Sequence, residues 1–527
     1  MVNGDFMKKV VLAVLVVTLG AICIGCVADE KSSEKPNKIS FQTNLTLEQL
    51  KASLMGDITV YALESDPGEK INPVTTRDTS ADFLFEMMYQ PLFSQKNGQF
   101  NMVLAEAIEK EDDFTYIVSL KPNIFWSDGT ALTADDVVFT YQLMQEETSS
   151  WAYTHLNYPE GAVKVRKADE FTVLFSFPLC HADGAAMLAD ILILPEHIFK
   201  IYNERYTIDN SVFWRKPVGS GPFIVDEYAA GKYYLFKKNK YYPFFPEERV
   251  ADFLIISNVK NTRESVSSFS ENRADITTIP SWDIRILNKK IGRDSDESKV
   301  GMIINPKTRM RYLGINGKKV KNSRLREAIF YSMNRTLINE SGFVDSKYYN
   351  SEYSFIPQSN LYYNSDTGSM YPWDLNRAKQ LLEEVDLESL YLTLAYRPND
   401  DAITAQAVII KDLLSLADIN IILKKVKSSS ELYEYDMFLD DIPLNNEPDS
   451  YGKYFLQGSK LNMIHYYNPE TDLLFKDGRS CDSDELRRVL YNEVQLQIME
   501  SAYFYPLCTY SSITLYRPGT QEMIYGY

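Results

Sequence analysis

The stretch FWSDGTALTADDVVFTYQLM, Phe125–Met144, predicts a turn followed by a capped helix. The dipeptide Asp128-Gly129 is a turn signal. Thr133 and Asp136 have the spacing of a capping box, with Asp where Glu is usual. The predicted helix carries an apolar stripe, made of Val137, Val138, Tyr141 and Met144. Three interpretations of the acidic residues are open at this point: a catalytic loop, a metal-binding loop or a piece of scaffold.

Strands and helices are predicted on both sides of this stretch. The run DFTYIVSL, Asp113–Leu120, alternates apolar and polar residues and predicts a half-buried strand. The run NSRLREAIFYSMNRTLINES, Asn322–Ser341, places apolar residues from Leu325 to Leu337 on one helical face. The run DLNRAKQLLEEV repeats this pattern behind a capping Asp374.

The region after these helices has the order strand, helix, strand. The strand-like runs Leu390–Pro398 and Ile419–Val426 flank a predicted helix at Thr404–Leu416. This order is typical of an α/β lobe. The whole chain has 527 residues, which is too long for one hydrophobic core, so we expect two or three domains.

Charge and motif content exclude several classes of function. The net charge of −17 argues against nucleic acid as a partner, because phosphates would be repelled. The sequence contains no HExxH, G-x-S-x-G or G-x-x-x-x-G-K-[ST] motif. Cys180-His181 is the one pair of soft ligands adjacent in sequence, and adjacency alone does not make a metal site. We therefore expect no enzymatic activity, no cofactor and no metal site.

The N-terminus predicts a secreted, lipid-anchored protein. Lys8 and Lys9 precede the apolar run Val10–Ile24, which is shorter than the roughly twenty residues needed to span a bilayer. Gly25-Cys26 then resembles a bacterial lipobox, which predicts a signal peptide at 1–25 and a lipid on Cys26. Residues 26–52 are expected to form the anchor and a flexible linker. Whether the natural start is Met1 or Met7 stays open.

Three cysteines remain after this segment, and they allow at most one disulfide bond within the chain. They are Cys180, Cys481 and Cys508. If any pair forms, Cys481 with Cys508 is the pairing we expect.

Several segments together resemble one protein family. The run Tyr116–Met144 closely resembles the signature of the extracellular solute-binding proteins of family 5, the peptide/nickel group that serves ABC importers. Further resembling segments follow in the family's order, at 219–242, 267–276, 312–338, 374–385 and 446–455. On this resemblance the acidic residues of Phe125–Met144 are scaffold.

The resemblance implies a two-lobed α/β fold of the periplasmic-binding-protein type (type II, cluster C), with an extra subdomain in the N-terminal lobe. The first lobe would cover 53–305, with the inserted subdomain at about 81–206, and would be completed by about 500–527. The second lobe would cover 306–499. Ligand would bind between the lobes, which close by a hinge motion.

The function implied by the resemblance is capture of a small solute outside the cytoplasm. We expect a monomer, lipid-anchored to the cell membrane, that binds short peptides and delivers them to the permease subunits of an ABC importer. Two alternatives stay open. The same fold could bind a non-peptide solute such as a nickel chelate, haem or an opine, or the protein could be a surface receptor that senses peptides.

The resemblance also places candidate site residues. Peptide-binding relatives pair the ligand's ammonium with an Asp three residues before an acidic-Pro pair, since a buried ammonium needs a carboxylate. Here that pair is Glu447-Pro448, and Leu444 occupies the anchor position. Either a nearby carboxylate substitutes for the missing one, or the ligand has no amino terminus at that point. The candidate residues are Trp151, Tyr153, Asp440, Asp441, Leu444, Asn446, Glu447, Asp449 and His465.

Overall fold

The computed structural model describes residues 45–64, 66–68, 71–75, 79–96, 99–202, 212–215, 217–245, 250–291, 300–383, 385, 391–398, 400–481 and 483–520. The signal peptide and Cys26 lie outside the described residues. Helix α1 (Leu47–Ser53) lies in the last part of the expected linker, begins at a capping box on Thr46, and buries Leu50. This part of the linker therefore belongs to the folded body.

A seven-stranded sheet forms the centre of what we call the first lobe. Its strands, in spatial order, are β10 (Phe223–Ala229), β11 (Tyr233–Lys238), β12 (Phe253–Val259), β1 (Ile58–Glu64), β13 (Ile276–Pro280), β21 (Ser512–Tyr516) and β14 (Gly301–Ile304). Strand β1 runs parallel to both of its neighbours, β12 and β13. Val60, Tyr61 and Ala62 of β1 are all buried, as expected for a central strand covered on both faces.

A six-stranded sheet forms the centre of the second lobe. Its strands, in spatial order, are β16 (Tyr349–Ser351), β20 (Phe504–Tyr510), β15 (Arg309–Ile315), β19 (Met437–Pro443), β17 (Tyr391–Tyr396) and β18 (Asn420–Lys425). The helices associated with this lobe are α9 (Ser323–Tyr331), α10 (Arg335–Gly342), α11 (Leu375–Leu382), α12 (Asp401–Leu416), α13 (Ser429–Leu432), α14 (Pro469–Ser480) and α15 (Asp484–Glu500).

The chain crosses between the two large sheets twice, once from β14 to β15 and once from β20 to β21. The two crossings lie side by side, because β14 pairs with β21 and β15 pairs with β20, both antiparallel. Beside them, the Asn305 side-chain amide donates to the hydroxyls of Ser512 and Thr514, each at 2.9 Å. The expected lobe boundary at 305/306 stays a prediction, and β14 and β15 lie on either side of it. Strand β20 pairs in the sheet of the second lobe, although about 500–527 was expected to complete the first lobe, because its partner β15 belongs to that sheet.

A smaller four-stranded sheet lies in the segment expected to form the inserted subdomain. Its strands, in spatial order, are β4 (Ala105–Lys110), β5 (Thr115–Leu120), β9 (Thr172–Ser176) and β8 (Lys164–Asp169). The other strands of the first lobe are β2 (Phe93–Lys96), β3 (Gln99–Met102), β6 (Asn157–Tyr158) and β7 (Gly161–Ala162). Its other helices are α2 (Thr79–Met88), α3 (Ala134–Glu146), α4 (Tyr153–Leu156), α5 (Gly184–Leu188), α6 (Glu196–Tyr202), α7 (Thr262–Ser270) and α8 (Ile284–Ile291).

The turn and capped helix predicted at Phe125–Met144 are confirmed. Gly129 has φ +92°, and a side chain there would collide with the Tyr241 hydroxyl. The Thr133 backbone N–H donates to Asp136 Oδ2 at 2.9 Å, and the Thr133 hydroxyl caps the start of α3 in return. Asp136 is buried and also accepts from the backbone of Glu196, so its carboxylate is held by the scaffold.

Helix prediction in the second lobe is correct in two places and wrong in one. Helix α11 begins after Asp374, and α12 covers the helix predicted at 404–416 but begins three residues earlier, behind Asp400. The single helix predicted at 322–341 is instead two helices. The chain breaks because the Ser332 hydroxyl bonds back to its own helix and Asn334 caps the next one, and Leu337 lies exposed.

The expected disulfide bond between Cys481 and Cys508 is absent. Cys508 is buried in β20, Cys180 and Cys481 are half-buried, and none of these three described cysteines is in a disulfide bond. In the described part of the chain, no helix has the length and apolar character needed to cross a membrane. Nor do the described residues include a group of three or more His, Cys, Asp or Glu side chains placed to hold a metal ion.

Candidate functional site

A cavity of about 490 Å³ lies mainly in the first lobe, and Asn445 of the second lobe contributes to its wall. Asn445 belongs to the loop that follows β19. Small-molecule sites are concave pockets of about 300–1,000 Å³ with mixed apolar and polar walls. This cavity has the size and the two-lobed lining expected of a site for a small guest.

One wall is a face of helix α2. Asp82, Phe83, Glu86 and Met87 line the cavity, and their spacing along the helix places them on one side of it. The opposite side of α2 faces the hydrophobic core through Leu84, Phe85 and Met88, which are buried. Burial of that apolar side fixes the rotation of the helix, so the acidic residues are turned toward the cavity.

Trp151 and His155 form a second part of the wall. Their rings meet edge to face with centroids 5.7 Å apart. The sequence prediction named Trp151, and the structure places it in the cavity wall. It named Tyr153 as well, which does not line this cavity. His155 was missed, although its position four residues after Trp151, within the short helix α4, is a usable signal.

The loop that carries Leu444 is fixed by backbone hydrogen bonds. The Leu444 N–H donates to the Thr308 carbonyl at 2.8 Å, which ties the loop to the crossing segment, and its side chain packs against a hydrophobic cluster of the second lobe. The Asn445 N–H donates to the Tyr451 hydroxyl at 2.8 Å. The Asn360 side-chain amide donates hydrogen bonds to the backbone carbonyls of Asn445 and Asn446. Asn445, not the predicted Asn446, reaches the cavity.

Asp440 and Asp441 each form an ion pair with an arginine in the structure. Asp441 accepts from Arg311 at 3.0 Å, and Arg311 is wholly buried. Burial opposes ionisation of Asp441, but the charge and hydrogen bonds of Arg311 outweigh it, so the pKa of Asp441 lies below its ordinary value. Asp440 pairs with Arg397 at 2.8 Å and accepts from the Tyr433 hydroxyl at 2.6 Å. Both carboxylates have protein partners, which weighs against their binding a ligand's ammonium.

Glu447 and Asp449 are also paired with arginines. Glu447 is 2% exposed and accepts from Arg487. Asp449 accepts from Arg479 Nε at 2.9 Å. Burial raises the pKa of Glu447 well above its ordinary value, and Asp183 of the first lobe adds to the increase against the opposing charge of Arg487.

The two lobes touch beside this loop, in a set of contacts that we call the interlobe latch. It consists of Tyr158, Ala182 and Asp183 from the first lobe and Glu447 and Arg479 from the second. The Ala182 N–H donates to the Arg479 carbonyl at 2.9 Å. The Arg479 guanidinium lies over the Tyr158 ring at 5.8 Å, and the Asp183 carboxyl of the first lobe raises the pKa of Glu447. The structure therefore has its lobes in contact at this end of the cleft.

His181 is buried next to this latch, and His465 lies on a turn away from the cavity. Burial, together with the charge of Arg479, lowers the pKa of His181 to about 3, so its ring is neutral. His465 is half-buried with φ +54°, and its N–H donates to the Asn462 carbonyl at 3.2 Å. A ligand contact for His465 stays a prediction.

Comparison with known proteins agrees with this geometry. The sequence profile described as bacterial extracellular solute-binding proteins, family 5 middle, matches residues 99–462. The chain is 26% identical to the oligopeptide-binding protein AppA of Bacillus subtilis over 538 aligned positions, covering 94% of this chain and 92% of that protein.

Two solved structures show the same fold. One is the ABC transporter substrate-binding protein CtaP of Listeria monocytogenes, with a TM-score of 0.79 and 25% identity over 88% of this chain and 94% of that one. The other is NikZ of Campylobacter jejuni in complex with Ni(L-His), with a TM-score of 0.74 and 18% identity over 88% of this chain and 95% of that one. At that identity, the likeness to NikZ concerns the fold alone.

Proposed function

This chain belongs to the bacterial extracellular solute-binding proteins of family 5, which are transport proteins and not enzymes, and from this premise we propose that it captures short peptides for an ABC importer. The observation that carries the proposal is the cavity of about 490 Å³ walled by the first lobe and by Asn445 of the second. The likeness of the chain to AppA, which is named an oligopeptide-binding protein, favours peptides over other solutes.

The arrangement suggests how a peptide is held. Closing two lobes over an extended chain allows main-chain hydrogen bonds of the kind made in strand addition. Polar groups such as Gln90, Gln95 and Asn101 line the cavity beside apolar ones. Waters can bridge such groups to different side chains, so affinity need not depend on one peptide sequence. The lobes would rotate about the two crossing segments and release the peptide to the permease.

Native mass spectrometry of the purified full-length chain tests this proposal. Peptide capture predicts a ladder of bound masses that tandem fragmentation resolves into amino-acid residues. Protein that has been unfolded, dialysed and refolded is the control, and it should lose the ladder and regain it when short peptides are added. One discrete non-peptide mass, with no uptake of added peptides, would contradict peptide capture.

A metal chelate is the second candidate, and His155 in the cavity wall is the observation that favours it. An imidazole nitrogen is a common ligand for nickel in proteins. Under this alternative the bound mass would contain nickel, and His155→Ala would abolish its retention. Peptide masses without metal would decide against it.

We also propose that the mature chain is a monomer held at the outer face of the membrane by a lipid on Cys26, with the lobes divided near residue 305. The lipobox-like Gly25-Cys26 supports the anchor. Cys26→Ser should release the protein from washed membranes and remove the lipid mass from its N-terminal peptide. Retention on washed membranes that depends on neither Cys26 nor a lipid would contradict the proposed anchor.

A further inference from the structure

His181 of the first lobe is a buried histidine whose ring has no polar contact. Neither ring nitrogen has a hydrogen-bond partner among the described residues. The ring instead meets the rings of Tyr158 and Phe177, with centroids 5.9 and 5.5 Å apart. A neutral imidazole has one N–H donor and one acceptor, so burying both without partners is costly. Such a group calls for an explanation.

The position of His181 is part of the contact between the two lobes. The next residue, Ala182, donates across the interlobe latch to the Arg479 carbonyl at 2.9 Å. The Tyr158 ring contacts both the His181 ring, at 5.9 Å, and the Arg479 guanidinium, at 5.8 Å. Any opening of the latch therefore changes the surroundings of this imidazole.

The second lobe supplies charges that disfavour a proton on His181. Arg479 and Arg487 both act on the ring from the second lobe, and His155 acts on it from the first. Burial is the largest cause that lowers the pKa of His181 to about 3, and the two arginines add to the decrease. The imidazole is therefore neutral while the lobes touch.

Opening of the cleft removes these causes. Arg479 belongs to α14 and Arg487 to α15, so both arginines move away with the second lobe. Loss of the hydrogen bond between Ala182 and Arg479 also gives water access to the neighbouring residue. A solvated histidine has a pKa of about 6.5. The open form thus binds a proton that the closed form excludes, and acid favours the open form.

We propose that His181 is an acid-sensitive switch in the interlobe latch, which permits closure while the imidazole is neutral and opens the lobes when it is protonated. The switch goes beyond the proposed function, because it acts on closure whatever the guest is. Its effect is absent well above the ordinary histidine pKa of about 6.5 and grows as the pH falls below that value. Guest affinity, which depends on closure, falls with it.

Other titratable groups near the latch have to be separated from His181. Burial raises the pKa of Glu447, and Asp183 of the first lobe adds to the increase, so proton uptake by Glu447 favours the closed latch in acid. This effect has the opposite sign to that of His181, and Glu447→Gln removes it. The charged and titratable groups around His181 are Arg479 and Arg487 with their partners Asp449 and Glu447, together with Asp183, His155, Tyr158 and Tyr116.

Small-angle X-ray scattering of the full-length chain tests the switch at about pH 7.5 and about pH 5.5, on either side of the ordinary histidine pKa. Each sample is measured without guest and with saturating trialanine. His181→Phe keeps an aromatic ring beside Tyr158 and Phe177 but cannot take up a proton. His181→Asn is a second, smaller neutral variant, in case the phenyl ring does not fit. His197→Gln is the matched control, because His197 is a half-buried histidine of the first lobe that pairs with Asp128, outside the latch and the cavity.

We expect the radius of gyration of the parent protein to be larger at the lower pH in at least one of the two samples. His181→Phe should have the same radius at both pH values, and His197→Gln should respond as the parent does. In calorimetry, trialanine should bind the parent about tenfold more weakly at the lower pH, as expected for one proton taken up on opening. The change for His181→Phe should be less than about threefold, whereas Glu447→Gln should lose at least as much affinity as the parent.

The remaining outcomes separate the switch from peptide capture. A parent protein whose radius is the same at both pH values, with and without trialanine, would overturn the switch. An acid response that persists in both neutral variants of His181, or that disappears equally in His197→Gln, would overturn it as well. If trialanine binds at neither pH, the result counts against peptide capture, while the scattering measured without guest still decides on the switch.

Discussion

The two sides of the cleft place their carboxylates in different surroundings. On the second lobe, each acidic candidate residue has an arginine partner, as Arg311 shows for Asp441 and Arg479 for Asp449. On the first lobe, Asp82, Glu86 and Asp190 lie in a cavity wall whose described residues include no lysine or arginine. Removing the arginine from a buried pair leaves an uncompensated charge, so we expect the pairs of the second lobe to matter for folding. The position of a carboxylate in a motif does not distinguish these surroundings, but its neighbours in space do.

The largest expected effect is on the second-lobe side of this comparison. Arg311→Met leaves Asp400 and Asp441 buried without their shared cation, since Arg311 contacts them at 2.6 and 3.0 Å. Removing one partner of a buried pair costs about 3–5 kcal/mol in the free energy of unfolding. Urea denaturation followed by circular dichroism measures this loss.

Lys110→Met is the control for that measurement, because Lys110 and Asp113 form an exposed pair at 3.5 Å. An exposed pair contributes about 0–1 kcal/mol. If Arg311→Met cost no more than this control, the arginine pairs of the second lobe would not be structural, and the comparison would fail.

The next prediction separates stability from binding at one residue. Asp449→Asn deprives Arg479 of its counter-ion and should lower the free energy of unfolding by about 2 kcal/mol, as expected for a hydrogen bond to a charged group. Peptide affinity should stay within threefold, because the carboxylate is already committed to Arg479. A tenfold loss of affinity with unchanged stability would restore the loop as the ammonium anchor.

A third prediction concerns the interlobe latch and its pH dependence. Burial raises the pKa of Glu447 in the folded protein, with Asp183 adding to the increase and Arg487 opposing it. The folded state therefore binds a proton more tightly than the unfolded state does. The stabilisation is complete below the ordinary glutamate pKa and is lost as pH rises through the raised pKa of the folded state.

A double-mutant cycle with Asp183→Asn and Glu447→Gln measures this contact. The coupling in unfolding free energy should be unfavourable by about 1 kcal/mol at alkaline pH, where ionised Glu447 repels Asp183, and this repulsion should be relieved as the pH falls and Glu447 takes up a proton. Arg487, Asp449 and Tyr491 also face Glu447, so the cycle is needed to isolate the pair. A repulsion that became stronger on acidification would contradict the assigned sign.

The smallest effect is expected at the crossing between the lobes. Asn305→Ala removes two hydrogen bonds to Ser512 and Thr514 and should cost about 1 kcal/mol of unfolding free energy. X-ray scattering without ligand should also show a larger radius of gyration, because the two crossing segments are then less firmly tied to each other and allow the lobes to open more easily. Asn350→Ala, at an exposed position of β16, is the matched control and should change neither.

Local signals in the sequence predicted most of the fold. The turn at Asp128-Gly129 and the cap at Thr133 depend on neighbouring residues only, so the sequence contains the information needed to predict them. The break between α9 and α10 was missed because the apolar pattern continues across it, while Ser332 and Asn334 redirect the backbone through side-chain hydrogen bonds. Periodicity does not register such a break.

The site was less predictable, since contacts with residues distant in sequence decide which side chains line the cavity. Trp151 was found through the family resemblance, whereas the acidic face of α2 was missed. Which side of α2 faces the cavity is decided by burial of its apolar side in the core. The acidic residues between 440 and 449 seemed suitable for binding a ligand because their arginine partners are not evident from the sequence. Arg311, for example, is separated from Asp441 by 130 residues.

Strand β21, which follows all strands of the second lobe in the sequence, inserts between β13 and β14 in the seven-stranded sheet. The first lobe therefore cannot complete its sheet until the second lobe has been made. A chain leaving a ribosome or a membrane channel with its N-terminus first would keep β13 and β14 without a shared neighbour until β21 emerges. This topology delays the closing step of folding, and it favours passage of the chain in an extended form before the protein becomes compact.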